Sequence, residues 1–535
     1  MAKIGRIITV VAILSVLPAQ VLADWQYRSR PDLSPPRLNI TIPATEEVAP
    51  GYIFVAPYPA FDGRRSGPEQ PAAYIFRNNG DLVWSSLGYF GGWIANFQAV
   101  RYQGRPVLQA FHGSLDPFHG RGYGTAVLLD QSYRQIVTMQ SLHKLMSIHE
   151  FRIVNEKTAL VVVYQPVPFD LRPYGGDESQ QWIIDCIWQE LNIETGELLF
   201  EGHSLNFADP SESALPLPTD AKHPGTTSAE AWDYFHINSV DKDDQGNYLI
   251  SSRHTSTVYK LSGINGSVIW RLGGPKSTFP LSHDLAFAYQ HDARFLSRSS
   301  GGTVETISLL DNAALKDGTE FRPSSSARIF ELNHASKTAT ELQRFSAPNG
   351  LSARSQGNAQ PLPNQNVFVN WGQAGAITEF HSGDGKPIFH AYLDSGLLGP
   401  GVESYRGFRY EWDGQPREAP AVVALRAGGE ISVYVSWNGD TRTAIWEFYA
   451  ATEILGDTVL ERAKELKLGV FERVSFETKF GFPTSKIRDL GEKVKIFAVA
   501  LNREGQTVGR SSGVGVRDEI RPAGRRPEES EHRDL

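Results

Sequence analysis

The sequence predicts an all-β protein, in which a six-bladed β-propeller is followed by a smaller immunoglobulin- or fibronectin-like β-sandwich. Its 535 residues include 49 glycines, 32 prolines and 11% aromatic residues, a composition that favours short strands and turns over helices. Six strand–turn–strand units also recur along the first 400 residues, and a propeller blade is a four-stranded sheet that repeats in this way. The turns of the six units are Asn79-Gly80, Gln131-Ser132, Thr195-Gly196, Asn265-Gly266, His334–Ser336 and Asp384-Gly385.

The end of the repeat sets the predicted domain boundaries. Residues 24–400 form the predicted propeller, and residues 410–517 form the predicted sandwich. Pro420–Leu425, Ile431–Trp437 and Val494–Ala500 are apolar segments with the β-branched and aromatic content of strands. Residues 518–535 are charged and contain proline, so they predict a disordered tail.

The N-terminus predicts secretion. Lys3 and Arg6 precede an apolar run over 7–17, which Pro18 interrupts, and small residues near Ala23 suit cleavage. This is the layout of a secretory signal peptide over residues 1–23, and the run is too short to span a bilayer. We therefore expect an extracellular protein that is not held in a membrane.

Two further features agree with an extracellular protein. Asn39 and Asn265 each begin an Asn-X-Ser/Thr glycosylation sequon. Cys186 is the only cysteine, so an intramolecular disulfide is excluded, and its apolar neighbours predict a buried packing residue. The net charge of −8, without basic runs, argues against nucleic acid as a partner.

Three histidines occupy the same predicted position of successive units. When the units are aligned by their first strand, this position reads Gln98, His149, His236, His291 and Gln360. The first strand of a blade lines the central channel, so side chains in matching register face the same axis. We therefore predict that the three histidines meet in the channel and form a functional site, whereas a single histidine in a β-protein is usually structural.

Strand pairing adds an arginine to this predicted site. The clearest unit reads as strands over 236–240, 247–253, 257–261 and 267–272. If Val240 pairs with Asn247, then Arg253 lies diagonally across from His236, and Asn238 shares the face of that histidine. Alternation turns His254 to the opposite face, which excludes it from the site.

The same alternation argument applies to two acidic residues. Glu150 and Asp292 each follow a channel histidine, so their side chains are expected to turn away from the axis and to take structural roles. His283 lies in an irregular stretch and is expected at the surface.

Several segments resemble the arylsulfotransferase family. They are Ile148–Phe151, Trp232–Val240, Ser251–Ser256, Val268–Gly274, Gln290–Arg294 and Ser308–Asn312. The resemblance covers roughly residues 70 to 395. It implies a six-bladed propeller that moves a sulfuryl group from one phenol to another through a sulfated histidine. The single cysteine and the short segment before the first unit make the chain most similar to the eukaryotic-type secreted branch.

The resemblance also assigns roles to individual residues. His291 matches the nucleophilic histidine, while His236, Asn238 and Arg253 match the sulfate-binding group, and His149 matches a further active-site histidine. Arg253 would neutralise charge on the sulfuryl oxygens, and His149 or His236 would protonate the departing phenolate. The expected partners are a phenolic sulfate as donor and a phenol as acceptor. No nucleotide site is visible, and no cofactor is expected.

Two other functions remain open from the sequence. Three channel histidines are suitable ligands for a transition metal, although the positive charge of Arg253 opposes a metal ion, so we expect no metal. The chain is alternatively a non-catalytic secreted propeller that binds glycans or other extracellular ligands. Metal analysis distinguishes the first alternative, and a sulfate-transfer assay distinguishes the second.

Overall fold

The computed structural model describes residues 24–60, 67–217, 225–315, 319–395, 401–452, 465–491 and 493–519. The predicted signal peptide and nearly all of the predicted tail lie outside these residues. The described chain is all-β, as predicted, and its helices are short 3-10 turns. These turns are Arg172–Tyr174, Ser204–Asn206, Pro210–Glu212, Pro348–Gly350, Gly372–Ala374 and Thr484–Leu490. None of the helices in these ranges is long and apolar enough to cross a membrane.

The N-terminal strands contribute to three different sheets. They are β1 (Asn39–Ile42), β2 (Tyr52–Val55), β3 (Tyr58–Pro59), β4 (Tyr74–Phe76) and β5 (Leu82–Ser85). β2, β4 and β5 pair in sequence order, whereas β1 and β3 pair with strands near residue 400.

The next eight strands form one continuous antiparallel sheet. They are β6 (Trp93–Tyr102), β7 (Arg105–Asp116), β8 (Arg121–Leu129), β9 (Gln135–Met139), β10 (Met146–Val154), β11 (Thr158–Pro168), β12 (Trp182–Asn192) and β13 (Leu198–His203). β6–β9 and β10–β13 are each a four-stranded meander, and they are joined where β8 pairs with β10 at Tyr123 and Ser147.

Two separate four-stranded meanders follow. The first contains β14 (Ile237–Lys242), β15 (Tyr248–Ser252), β16 (Thr257–Leu261) and β17 (Val268–Gly273). The second contains β18 (His291–Arg298), β19 (Val304–Asp311), β20 (Ser326–Asn333) and β21 (Thr338–Ser346). The observed bounds of β14–β17 agree with the predicted strands to within one or two residues.

The last part of this body closes back onto the N-terminal strands. It contains β22 (Asn358–Pro361), β23 (Val367–Asn370), β24 (Ala376–Phe380), β25 (Pro387–Tyr392), β26 (Val402–Glu403) and β27 (Gly407–Tyr410). β1 pairs with β25, β3 with β26, and β2 with β27. The pairing of Tyr52 with Tyr410 therefore joins chain segments on both sides of the predicted boundary at residue 400.

The sheets are arranged like the blades of a propeller, with their first strands side by side. Asn96 of β6 donates its amide to the Ile148 carbonyl of β10 at 2.9 Å. Asn238 of β14 donates likewise to the Gln290 carbonyl, next to β18, at 2.7 Å. Asn358 of β22 donates to the Gly407 carbonyl of β27 at 2.9 Å. Buried amides thus connect neighbouring first strands, where backbone pairing between the sheets is absent or minimal.

A buried ionic cluster fastens the same strands. The Arg406 guanidinium binds the Glu150 carboxylate of β10 at 2.7 Å and the Asp292 carboxylate of β18 at 3.2 Å. Arg294 binds the same two carboxylates at 2.7 and 2.6 Å. Two cations therefore balance two anions, as burial of charge requires. These ion pairs agree with structural roles for Glu150 and Asp292, which remain a prediction.

The C-terminal strands form a second body around their own apolar core. They are β28 (Ala421–Ala427), β29 (Glu430–Ser436), β30 (Ile445–Thr452), β31 (Glu465–Glu472), β32 (Glu477–Pro483), β33 (Val494–Leu501), β34 (Thr507–Arg510) and β35 (Val514–Asp518). They make one eight-stranded sheet, which is antiparallel except where β28 and β35 pair in parallel. The immunoglobulin- or fibronectin-like topology remains a prediction.

Buried polar contacts join the two bodies. The Asn438 side chain accepts from the Ser85 amide at 2.8 Å and donates to the Ser85 carbonyl at 2.9 Å. The Tyr133 hydroxyl donates to the Gly439 carbonyl at 2.7 Å. Cys186 is fully buried in the apolar core between β12 and β14, as predicted.

Candidate active site

A cavity of about 290 Å³ opens where the first strands converge. Its wall contains His149, His236, His254, His291 and Arg253, all of them buried. The three histidines predicted to meet therefore line one cavity, together with the predicted arginine and two further histidines, His119 and His254. Aromatic and aliphatic side chains form most of the rest of the wall, including an apolar mouth at the exposed Phe118. His119, Ser355, Gln356 and Glu403 are the other polar residues of the wall.

His291 is the first residue of β18, and its two ring nitrogens contact different partners. Its Nδ1 lies 2.7 Å from Asn312 Oδ1, and its Nε2 accepts the Gln356 backbone N–H at 3.2 Å. Burial, and after it the positive charge of Arg253, lowers the pKa of His291 to about 3. The imidazole is therefore neutral at physiological pH, which is the form that acts as a nucleophile.

Arg253 follows β15 and is fixed at several points. Its Nη1 donates to His254 Nε2 at 2.9 Å, and its Nη2 donates to the Arg354 carbonyl at 3.2 Å. Its guanidinium lies 5.7 Å from the ring centre of Tyr289. The Arg253 amide donates to the His236 carbonyl at 3.0 Å, which places the two residues side by side.

The rings of three other cavity histidines are in contact, edge to face between His149 and His236 and stacked between His236 and His254. The ring centres of His149 and His236 are 4.9 Å apart, and those of His236 and His254 are 4.5 Å apart. Asp233 holds His236 Nδ1 with its carboxylate at 2.6 Å and His254 Nδ1 with its carbonyl at 2.6 Å. Burial lowers the pKa of His254 to about 3 and that of His149 well below its usual value, and His236 adds to both shifts.

The position of His254 corrects the prediction that excluded it. β15 ends at Ser252, so Arg253 and His254 lie in the turn that follows, where the alternation of a strand does not apply. The assumed pairing of Val240 with Asn247 is also wrong, because Val240 pairs with Ile250. Arg253 nevertheless reaches the cavity, since the turn folds back over the start of β14.

Asn238 does not line the cavity. Its amide donates to the Gln290 carbonyl at 2.7 Å, and its Oδ1 accepts the Asp292 amide at 3.4 Å. The register shifts between Ile237 and Ser239, and His236 has a φ of 54°, so the two side chains do not share a face. The expected contact of Asn238 with sulfate is replaced by a connection between strands.

The two glutamines aligned with the histidines also lie elsewhere. Gln98 accepts the Tyr410 hydroxyl at 3.0 Å, and Gln360 exchanges hydrogen bonds with the Arg409 backbone. Neither lines the cavity. The register of β6 is irregular between Ala95 and Gln98, so Gln98 is not at the position in its strand that matches the histidines. The alignment by turn positions could not show this irregularity.

Some cavity residues had no signal in the sequence. Gln356 carries the N–H that reaches His291, and its side chain bonds Tyr58 at 2.7 Å and Glu403 at 2.6 Å. The Ser355 hydroxyl is buried at the cavity without a hydrogen-bond partner among the described residues. These residues come from the loop before β22 and from β3 and β26, so only the tertiary fold brings them to His291.

One group in the cavity wall has the composition of a metal site. The ligand atoms of Asp233, His236 and His254 lie within 4.8 Å of one another. Their nitrogens already bond to Asp233 and Arg253, so a cation would have to displace these contacts and lie close to a guanidinium. The residues fit a hydrogen-bonded network better than a metal ion, and the absence of a metal remains a prediction.

Residues 98–393 match the family model of arylsulfotransferase (ASST). The chain belongs to the arylsulfotransferase family. The matched segment includes His149, His236, Arg253 and His291, and membership supports an arylsulfotransferase enzyme with small phenolic substrates. No curated protein matches the chain.

Three solved structures give distant likenesses to this arylsulfotransferase-family chain. A protein of unknown function from Bacteroides caccae is 14% identical over 67% of this chain and 98% of its own, with a TM-score of 0.37. A GH43 protein from Bacillus licheniformis is 8% identical over 79% and 90%, with a TM-score of 0.29. A protein from Lactobacillus plantarum is 9% identical over 80% and 99%, with a TM-score of 0.29. None of these likenesses bears on function.

The buried imidazoles predict a loss of stability in mild acid. The pKa of His254 and of His291 is about 3 in the folded protein and 6.5 without the fold, so only the unfolded chain binds protons between these values. The free energy of unfolding should therefore fall by several kcal/mol as the pH drops from about 6.5 towards 3, with most carboxylates contributing only below about pH 5. Urea denaturation at pH 7.5, 6.5, 5.5 and 5.0 measures this. An unfolding free energy that stays constant over this series would contradict neutral buried histidines.

Proposed function

We propose that this protein transfers a sulfuryl group from a phenolic sulfate ester to a phenol, through a sulfohistidine at His291. The observation that carries the proposal is the unprotonated Nε2 of His291 in a cavity that also holds Arg253, in a member of the arylsulfotransferase family. A neutral imidazole beside a fixed cation suits attack on an anionic ester, because the cation neutralises the charge that would repel a nucleophile.

The first half-reaction forms the intermediate. The Nε2 lone pair of His291 attacks sulfur, the N–S bond forms, and the bond from sulfur to the phenolic oxygen breaks. The electron pair leaves with the phenolate, which takes a proton from His236. Asp233 lies 2.6 Å from His236 Nδ1, and a carboxylate at this distance stabilises the imidazolium that donates the proton.

The second half-reaction returns the enzyme to its starting state. An acceptor phenol gives its proton to His236, its oxygen attacks sulfur, and the N–S bond breaks. His291 is regenerated with its lone pair on Nε2, so neither half-reaction needs a nucleotide or an oxidant. His149, whose pKa is well below its usual value, remains neutral beside His236 and orients the phenol by hydrogen bonding.

Three donors face the position of the sulfuryl oxygens in this proposal. Arg253 supplies a charged guanidinium, Gln356 supplies the N–H that now bonds His291 Nε2, and Ser355 supplies its buried hydroxyl. When sulfur bonds to Nε2, the Gln356 N–H turns to a sulfuryl oxygen. Fixed donors of this kind stabilise charge that develops on oxygen during transfer.

The apolar mouth of the cavity suits the aryl group. Trp93 makes edge contacts with Tyr58 at 5.2 Å and Tyr405 at 5.9 Å between ring centres. Phe118 lies on the hairpin between β7 and β8, lines the cavity and is 84% exposed. An exposed aromatic ring at a cavity mouth gains most when a second ring covers it.

Replacing Phe118 with Ala should weaken aryl binding without slowing transfer. We expect KM for p-nitrophenyl sulfate to rise about fivefold, because an aromatic contact contributes on the order of 1 kcal/mol. The kcat should stay within a few-fold of wild type, since the ring contacts the aryl group and not the sulfur. Phe321→Ala, which removes another exposed phenylalanine outside the cavity wall, is the matched control. A fall in kcat with unchanged KM would contradict this position for the aryl group.

Several wider features belong to the same proposal. The strands of the six predicted hairpins pair as expected. If β6–β9 and β10–β13 are two separate blades, each hairpin belongs to a different blade, which supports a six-bladed propeller. We further propose a secreted, signal-peptide-bearing protein of the eukaryotic-type branch. The exposure of Asn265 supports glycosylation there, whereas Asn39 is half-buried in β1.

Turnover of aryl sulfates tests the proposal directly. The full-length protein should release p-nitrophenol from p-nitrophenyl sulfate, and faster when a second phenol is present as acceptor. Without an acceptor, it should release about one p-nitrophenol per chain and gain the mass of one sulfuryl group. Neither turnover nor adduct across a panel of aryl sulfates would leave the glycan-binding propeller as the alternative function.

A further inference from the structure

We propose that Asn312 is a positioning residue that makes Nε2, and not Nδ1, the nucleophilic nitrogen of His291. This inference rests on the proposed function and extends it to a residue that directly follows β19. Asn312 is fully buried, and its Oδ1 lies 2.7 Å from His291 Nδ1. It does not line the cavity, so it acts through the histidine.

The orientation of the Asn312 amide is fixed by its own contacts. Its Nδ2 donates to the Ala353 carbonyl at 2.7 Å and to the Gln356 carbonyl at 2.9 Å. Rotation of the amide by half a turn would bring Oδ1 against two carbonyl oxygens, which cannot donate. The oxygen of Asn312 must therefore face His291.

The oxygen in turn fixes the tautomer of the imidazole. An amide oxygen only accepts, so Nδ1 of His291 must carry the hydrogen, and the Tyr289 carbonyl at 3.2 Å is a second acceptor on the same side. On the other side of the ring, the Gln356 N–H only donates, so Nε2 carries the lone pair. All three partners agree on one tautomer, and its lone pair belongs to the nitrogen that faces the cavity.

An amide suits this position better than a carboxylate. A carboxylate beside Nδ1 would stabilise the imidazolium and so occupy Nε2 with a proton, whereas a neutral oxygen orients the ring and leaves it neutral. The same amide holds the carbonyls of 353 and 356, on either side of Ser355. Asn312 therefore couples the tautomer of the nucleophile to the loop that supplies the sulfuryl-oxygen donors.

The tautomer can be measured in the resting enzyme without any substrate. Nitrogen NMR of the full-length protein with labelled histidine, compared with His291→Gln to assign the signal, should show Nδ1 protonated and Nε2 unprotonated. After reaction with p-nitrophenyl sulfate without acceptor, NMR should place the sulfuryl group on Nε2. A resting Nε2–H tautomer or an Nδ1 adduct overturns the proposal. A correct tautomer without any adduct would instead contradict the proposed sulfuryl transfer.

Two variants separate positioning from loop support. Asn312→Ala should slow sulfation of His291 by roughly 10²-fold, less than the loss of about 10⁴ known for a wrong tautomer, because the Tyr289 carbonyl still favours Nδ1–H. Ser325→Ala is the matched control, since the Ser325 hydroxyl bonds the Asn312 carbonyl and the Ala353 amide at 2.8 Å each but does not touch His291. Its rate and its His291 NMR signals should stay close to wild type. An equal loss of rate in both variants, with unchanged tautomer signals, would show that Asn312 only supports the loop.

Discussion

Replacing His291 with Ala should abolish both the p-nitrophenol burst and the sulfuryl adduct. The rate should fall by roughly 10⁴-fold or more, the scale seen when a nucleophile is removed from an enzyme that uses covalent catalysis. The physical reason is that the Nε2 lone pair of His291, which accepts only the backbone N–H of Gln356, lies near the Arg253 guanidinium. His254 Nε2 already accepts Arg253 Nη1 at 2.9 Å. Single-turnover kinetics and intact mass measure the two losses.

The control for this variant removes another buried imidazole. His390 is fully buried, and its Nδ1 lies 2.7 Å from the Thr378 hydroxyl, away from the cavity wall. His390→Ala should therefore lose stability but keep the burst. Added imidazole should partly restore turnover to His291→Ala, because the deletion leaves space beside Asn312 and Gln356. A full burst in His291→Ala would move the nucleophile to another residue, with His149 as the next candidate.

The fold was predictable wherever local chemistry determines it. Asn79-Gly80, Asn265-Gly266 and Asp384-Gly385 all connect antiparallel strands, because glycine adopts the positive φ that these turns require. The closing pair of β2 and β27 could not be predicted in the same way. Tyr52 and Tyr410 pair although more than 350 residues separate them, so no local turn sequence indicates that their strands are neighbours.

The site was predictable in its residue types but not in its register. The repeat position predicted that His149, His236 and His291 meet, strand pairing added Arg253, and all four line the cavity. The placement of Asn238 failed, because the positive φ of His236 and the shifted register of β14 interrupt alternation. A single irregular residue reverses the face of those that follow it, and a sequence alone does not show where the irregularity lies.

The residues around His291 were unpredictable for a different reason. Asn312 directly follows β19, Ser355 and Gln356 lie in the loop before β22, and only the packing of two neighbouring sheets brings them to β18. Asn312 is the last residue of a segment that resembles the family, Ser308–Asn312, but the resemblance assigned no function to the residues of this segment. Positioning residues are difficult to predict because their partner is a side chain in another strand.

Replacing Arg253 with Met should slow sulfuryl transfer by roughly 10²- to 10³-fold, the usual effect of losing one donor to a developing oxyanion. The side chains have similar length, so the variant mainly removes charge and hydrogen bonds. Arg253→Lys keeps the charge but loses the fork that reaches both His254 and the Arg354 carbonyl. We expect it to retain an intermediate rate. Single-turnover release of p-nitrophenol measures all three proteins.

Arg354→Met provides the matched control, because Arg354 lies in the loop that carries Ser355 and Gln356 and its backbone carbonyl, which the substitution keeps, accepts the Arg253 hydrogen bond. Its rate should stay within a few-fold of wild type, since a half-exposed charge is screened by solvent. Arg253→Met should also raise the pKa of His291 from its value of about 3, because the guanidinium now opposes protonation of that ring, although burial still keeps it below 6.5. The acid limb of the sulfation rate should shift upward in this variant and not in Arg354→Met. Equal losses in the two variants would mean that the general positive potential of the loop, and not the fixed guanidinium, assists transfer.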